Sequence, residues 1–384
     1  MLPFRPPAIL RRSAALLLAL AAVGLARAAD PGLTAQQILI GQNITLQGGK
    51  NAHGVATQQG AKLYLDEANA AGGVHGRKLV LRTLDDNNQG AVAESNARQL
   101  VKEGAFLLFG SIEGGPSTAV LKVAQEANVP FIGPMAGSPG LRRPHQPMVF
   151  PVRAEHRDEF RSLMTWAKSI GLRSVGFLHT DSTTGREHLE NVKPMAQELG
   201  LDLVLALPFK GDANAAQIDA LVQQVATAKP DMMFNHGSPD FYVKLITKAR
   251  DAGLKTQFMA VNSGSSQIAK DLGPLAKGMF FTQVVPSPWE RKHEIAREYQ
   301  DAMRRKLPNV EASYGGLEGY ATAKLLVAAL RSTGPDLSRA ALLRTLEHSS
   351  INLGGLKARY APGDHAGSRY VDLSMVGRNG RFVH

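Results

Sequence analysis

The chain has 384 residues, 44 lysines and arginines against 33 acids, a net charge of +11, and no cysteine. The missing thiols exclude disulfide staples, thiolate nucleophiles and cysteine-ligated metals, so stability must come from ordinary burial, which a chain of this size supports as two domains. The basic excess is scattered, densest over 141–161, and lacks the stripe with aromatic platforms that nucleic-acid binding needs.

At the N-terminus Arg5, Arg11 and Arg12 precede the apolar run AALLLALAAVGLA, which is followed by ARA and then Ala29-Asp30. This order predicts a signal peptide over 1–28, with an uncleaved anchor as the alternative. The run is short for a membrane span. The arginine pair leaves Sec and twin-arginine export both open. Cleavage removes four arginines and no acid, leaving 356 residues (384 less 28) with 40 bases against 33 acids, a net charge of +7. The expected location is the periplasm, with no membrane insertion after cleavage.

From Gln37 onward, short apolar runs alternate with helical stretches. ILIGQNITL reads as a strand, VATQQGAKLYLDEANAAGG as a helix stopped by Gly72-Gly73, and KLVLRTLDD as a strand. Helix AVAESNARQLVKE, strand FLLFG, helix STAVLKVAQEA and strand VPFIGP follow. This is the rhythm of a parallel sheet covered on both faces. After a Pro- and Arg-rich link over 139–153 the rhythm restarts at EFRSLMTWAKSIG and RSVGFLHT. It continues through GREHLENVKPMAQELG, which Pro194 could bend, to the strands LDLVLALPF, PDMMFNHG and TQFMAVNS with helices between them. The restart predicts a second α/β lobe. After KGMFFTQVVP come three helical stretches, 289–306, 314–332 and 337–348, and a turn-rich tail of short antiparallel strands.

The motifs of catalysis are missing. LQGGKN fails as a phosphate loop, because Ile44 stands where the first glycine belongs and Asn51 replaces the hydroxyl. His293-Glu294 fails as a zinc-protease motif because the second histidine position holds Arg297. The serine-hydrolase elbow is absent. The histidines are dispersed along the chain, which predicts no metal cluster and no cofactor; His53 and His236 read as loop or surface residues, with a place in a cleft as the alternative. Ser117 and Thr118 in GGPSTA, and Asp181, Ser182, Thr183 and Thr184 in TDSTTG, stand before helices. Capping explains either group alone. Their recurrence in both halves, at strand ends where open α/β sheets bind ligands, favours binding over catalysis.

The pieces ILIGQNITL, GVATQQGAKLYLDEANAAGGVHGRKLVL, VAQEANVPFIGPMAGSP, VFPVRAEHRDE, LLVAALRSTG and VGRNGRFVH, in this order and spacing, resemble the branched-chain amino-acid-binding (leucine/isoleucine/valine) family of ABC-importer solute-binding proteins. The resemblance covers nearly all of 35–384. It implies the type-1 periplasmic binding fold: α/β, with two parallel-sheet lobes joined by three hinge crossings. The expected division is 29–152 as the first part of lobe 1, 153–275 as the main part of lobe 2, 276–350 as mainly a return to lobe 1, and 351–384 as edge strands, hinge and completion of lobe 2. It also implies a monomer that closes over a small solute and presents it to a membrane permease.

By position, the resemblance places Gly114, Met135, Gly137 and neighbouring Ser138 at the ligand carboxylate. Thr184 and Ser238 fall where aromatic residues often cover the ligand. Asn262 stands where an acid often receives the ammonium group of an amino acid. Gly137 and Asn262 depart from the family pattern, and Arg153 and Arg157 lie nearby, so the expected cargo widens to an amino acid, an organic acid or an amide, with Asp181 or Asp240 as substitute acids. The alternatives are a sensor of the same fold serving a separate receptor and, more remotely, an exported hydrolase.

Overall fold

A computed structural model describes residues 30–378 and 380–383. The signal peptide expected over 1–28 lies outside the described residues. The first five strands are β1 (Gln37–Ile44), β2 (Lys78–Asp85), β3 (Leu107–Phe109), β4 (Phe131–Ile132) and β5 (Val149–Phe150). They form one parallel sheet in the order β2-β1-β3-β4-β5. Helices α1 (Ala52–Ala70), α2 (Gly90–Lys102) and α3 (Gly114–Glu126) connect them. Ile38 and Ile40 of β1 join Ala61, Leu63 and Leu65 of α1 in one buried cluster, while Leu108 and Phe131 join Ala93 and Ala97 of α2 and Val120 of α3 in another. The near-continuous apolar strands of the sequence are thus buried on both faces.

The second sheet repeats this construction. Helix α4 (His156–Ser169) leads into β6 (Ser174–Thr180), α5 (Thr183–Leu199), β7 (Asp202–Phe209), α6 (Ala215–Ala228), β8 (Met232–His236), α7 (Pro239–Asp251), β9 (Gln257–Ala260), α8 (Ser265–Leu272) and β10 (Phe280–Gln283). Side chains alternate between the two faces as strand geometry requires: Val175 and Phe177 pack toward α4 and α5, Leu178 toward α6 and α7. The chain then runs through α9 (Glu294–Lys306), α10 (Tyr314–Thr333) and α11 (Arg339–Glu347), which belong to the core of the first sheet. A small antiparallel sheet of β11 (Ser350–Asn352), β12 (Lys357–Ala361) and β13 (Asp364–Gly367) follows. Finally β14 (Asp372–Val376) and β15 (Phe382–Val383) complete the second sheet, whose order is β15-β14-β10-β9-β8-β6-β7. The structure is therefore a two-lobed α/β fold whose chain passes between the lobes three times, after β5, after β10 and after β13.

Several details differ from the sequence reading, among them β5, which lies in the stretch 139–153 read as a link, and the helix expected from 289, which starts at Glu294. Strand β10 pairs with β9 and so stays in the second sheet, which puts the return to the first lobe after Gln283 rather than at 276. Helix α8 escaped notice because it is only eight residues long. Helices α1 and α3 start three residues before their apolar periodicity does, at Ala52 and Gly114.

Helices α1 and α10 cross through glycine. A Cβ on Gly60 would lie 1.8 Å from the Gly316 carbonyl oxygen, and one on Gly319 would lie 2.0 Å from that of Thr57. Helix propensity alone makes Gly→Ala stabilising by about 1 kcal/mol. The contact reverses the sign: Gly60→Ala is expected to destabilise by about 1–3 kcal/mol. Denaturant unfolding checks this, and a gain in midpoint would refute the close-contact account.

Candidate functional site

In a parallel sheet each strand delivers the N-terminus of the next helix to the same edge. Here both lobes turn that edge toward a common cleft of about 780 Å³. Its wall includes residues at the starts of six helices: Ala52 and His53 of α1, Gly90 of α2, Gly114 to Pro116 of α3, Thr183 and Thr184 of α5, Pro239 and Asp240 of α7, and the cap Gly264 of α8. Unpaired N–H groups and aligned peptide dipoles make such ends attractive to negative charge.

Local hydrogen bonds hold these ends in place. Asn51 caps α1 by accepting from Gly54 N–H at 2.8 Å, and Ser182 caps α5 by accepting from Gly185 N–H at 3.1 Å. The Asp85 carboxylate accepts from the backbone N–H groups of Leu46 (2.9 Å), Gln47 (3.1 Å) and Gly48 (2.8 Å), fixing the loop that carries Lys50 to the cleft. Burial opposes ionisation of Asp85, but these bonds and one from Asn87 hold its pKa below the usual value.

Of the seven residues expected at the ligand, Gly114, Thr184 and Ser238 line the cleft and the other four do not. Gly114 faces across it: a Cβ there would lie 3.5 Å from Thr184 Cγ2 of the other lobe and 2.7 Å from Ser138 Oγ. Ser238 lines the wall and also caps α7, accepting from Phe241 N–H at 3.4 Å. Met135 is buried with Ile44 and Ile112. Ser138 is buried behind Gly114, and Gly137 packs against the ring of His156, where a side chain would collide. Ser117, read as a cap, instead pairs with Ser111 Oγ at 2.7 Å; the α3 cap position is Glu113.

Asn262 corrects the sequence reading most. It is buried away from the cleft lining, in a network that ties the lobes together. Its Nδ2 donates to Glu318 of α10 at 3.0 Å, and its backbone N–H donates to Glu159 of α4 at 2.8 Å. Glu159 also accepts from Thr282 Oγ1 at 2.7 Å and pairs with Arg153 and His156. Burial alone would raise the Glu159 pKa; the Arg153 and His156 charges and the hydrogen bonds outweigh it and hold it at about 2. Arg153 is thus buried and paired with Glu159 rather than free for an acidic solute, and Arg157 is exposed outside the lining. Asp181 pairs with Arg186 at 3.1 Å on the surface, whereas Asp240 does reach the cleft.

Sequence reading missed two charged cleft residues. Lys50 supplies a cation and Glu113 an acid. Burial, together with the Asp86 charge, raises the Glu113 pKa to about 6. Its backbone (φ 64, ψ 142) is a conformation that side-chain-bearing residues avoid, at a cost of about 1–3 kcal/mol, and such strain clusters at ligand sites. The signal was in SIEGG, an acid before two glycines at a strand end. Sequence reading also missed a cluster: His156, His188 and His236, far apart in the chain, place one ring nitrogen each within 4.8 Å of the others. His236 reaches the cleft wall, as does His53.

Comparison with known proteins agrees with this architecture. The family model described as periplasmic binding protein matches residues 37–381. The Leu/Ile/Val-binding protein homolog 7 of Brucella abortus (strain 2308) is 25% identical over 390 residues, covering 96% of this chain and 95% of that protein. The crystal structure of an extracellular ligand-binding receptor from Verminephrobacter eiseniae ef01-2 superposes with a TM-score of 0.81 at 28% identity, covering 91% of this chain and 100% of that one. A possible leucine/isoleucine/valine-binding protein from Rhodopirellula baltica SH 1 gives 0.83 at 25% identity, covering 94% and 98%.

Two predictions follow from the charges. Arg153→Met leaves Glu159 buried without its guanidinium and is expected to cost about 3–5 kcal/mol, while adding Glu159→Gln recovers part of the loss; additive losses in denaturant unfolding would contradict this. Burial and the Arg153 charge lower the His53 pKa from 6.5 to about 4. The unfolded imidazole therefore takes up a proton before the folded one does, and the stability tied to neutral His53 is lost as pH falls from 6.5 to 4. The Tm difference between wild type and His53→Gln is expected to shrink across that window; a constant difference would refute it.

Proposed function

This chain belongs to the periplasmic binding protein family, and we propose that it is the extracytoplasmic binding component of an ABC importer. It captures one small polar solute between its lobes and presents the closed form to a membrane permease. The observation that carries this reading is the convergence of six helix N-termini, from both lobes, on one cleft. No single lobe encloses that space, so a solute touching both walls favours the closed arrangement by its differential affinity. Among the described residues, no helix is long and apolar enough to cross a membrane, which is compatible with a protein that meets its permease from outside the bilayer.

The cleft chemistry narrows the cargo. Helix N-termini and Lys50 favour a carboxylate or another anionic group. Glu113 and Asp240 offer acceptors for an ammonium or amide N–H. Together they suit a zwitterion of amino-acid type, with Glu113 taking the part that the family pattern gives to the position of Asn262. The names of the leucine/isoleucine/valine-type relatives support the same class of cargo. Gly114 and Thr184, close across the cleft, are the contacts at which closure is felt first.

Titration calorimetry against amino acids, their deaminated acids and amides tests this. Stoichiometric binding without turnover is expected. Glu113→Gln should weaken an ammonium-bearing solute about tenfold, or about 1.4 kcal/mol, and leave its deaminated analogue little changed. Equal losses for both would remove Glu113 from the ammonium role, and catalytic turnover would overturn the binding reading.

A further inference from the structure

Solute capture leaves the histidine cluster at the base of the cleft unexplained. His156 is the first residue of α4, His188 sits within α5 and His236 ends β8, so all three are held by regular elements. All are buried, at 5%, 0% and 8% exposure. Ring centroids are 4.0 Å apart for His188 and His236, and 5.3 Å from each of these to His156. Both ring nitrogens of His188 and Nδ1 of His236 have no hydrogen-bond partner. Buried polar atoms are nearly always satisfied, so three orphaned nitrogens on two adjoining rings call for an occupant.

The third imidazole is already oriented. His156 Nδ1 lies 2.8 Å from Glu159 Oε1; donating there, it leaves the Nε2 lone pair as the atom able to bind a metal. Glu159 is itself fixed by Arg153, Thr282 and the Asn262 backbone. A carboxylate behind a ligating histidine is the usual support that sets its tautomer and raises its basicity.

We propose that His156, His188 and His236 form a binding site for a divalent transition-metal ion of zinc type. Neutral imidazoles suit zinc, copper and nickel, and the hard cations calcium and magnesium prefer oxygen. Zn–N bonds of about 2.0–2.1 Å in a tetrahedron hold nitrogens about 3.3 Å apart. The donor atoms already lie within 4.8 Å of one another, so small side-chain rotations complete the set. His236 also lines the cleft, which gives the ion an entry path and leaves a fourth position open toward bound solute or water. The packing alternative, a purely aromatic cluster, is weaker. Phe160, Phe177 and Phe234 already fill the apolar floor beside these rings, and a fourth apolar residue at 188 would serve packing without stranding two nitrogens.

The test uses zinc alone, so its outcome is independent of the solute assignment. The purified protein is stripped with a chelator and titrated with Zn²⁺ by calorimetry, and with Co²⁺ by visible absorption. One equivalent is expected, with the intense visible bands of a tetrahedral nitrogen site. His188→Asn and His236→Asn should each weaken binding at least about tenfold, and Glu159→Gln about 10–100-fold, while the exposed control His75→Asn should bind as wild type. If His188→Asn fails to fold, His236→Asn and the wild-type cobalt spectrum still decide. Failure to bind zinc, octahedral cobalt spectra, or equal affinity in all variants would overturn the proposal.

Discussion

Arg153 sits where the chain first leaves the first sheet, and its guanidinium is buried. A charge in that position is tolerable only if the surrounding structure supplies compensating groups in fixed geometry. Those groups come from both lobes: Glu159 from α4, and Glu318 from α10 with an oxygen 3.8 Å away. Asn262 and Thr282, near the ends of the second sheet's central strands, hold these two glutamates in place by donating to their carboxylates. The first crossing is also held by the tail, with Tyr360 OH donating to the Pro151 carbonyl at 2.8 Å and Ser368 N–H to that of Val152 at 2.8 Å. The relation between the lobes therefore rests on a polar knot rather than on a greasy interface. Such a knot defines geometry through directional bonds, while leaving the cleft beside it free to be polar.

That polarity follows from topology. In each lobe the strands that lead into helices run parallel, so those helices all begin at one edge, and the edges of the two lobes meet. Six positive dipole ends around one cavity give it an affinity for negative charge before any side chain is counted. Lys50 adds to that field, while Glu113 and Asp240 oppose it locally. A solute with separated charges fits this division better than a simple anion does. Glu113 holds a strained backbone to deliver its carboxylate, which places a cost in the free protein where a ligand can offset it.

Several elements could be read from the sequence because their physics is local. The apolar strands, the glycines ending the first helix and the restart of the βαβ rhythm near 156 depend on neighbours in the chain, and all reappear in the structure. Thr184 was legible for the same reason, as a hydroxyl before a helix at a strand end, whereas Ser238 came only through the family resemblance; both line the cleft. Asn262 was misplaced because strand-end position does not reveal which way a side chain turns, and here a buried glutamate from a helix more than fifty residues away claims it. Lys50 carried no periodic or motif signal and Glu113 only the local SIEGG pattern; the facing lobe is what makes their loops into walls.

The sequence by itself determined the fold class, the parallel order of its units and the glycine- and hydroxyl-rich loops at their ends, since periodicity, turn chemistry and burial of apolar runs act over short stretches. The tertiary structure alone decided which polar groups meet. Arg153 with Glu318, Asn262 with Glu318, and the three histidines 156, 188 and 236 come together through crossings between lobes and between strands. Their pairing depends on distance in space, which the order of residues in a chain does not encode locally.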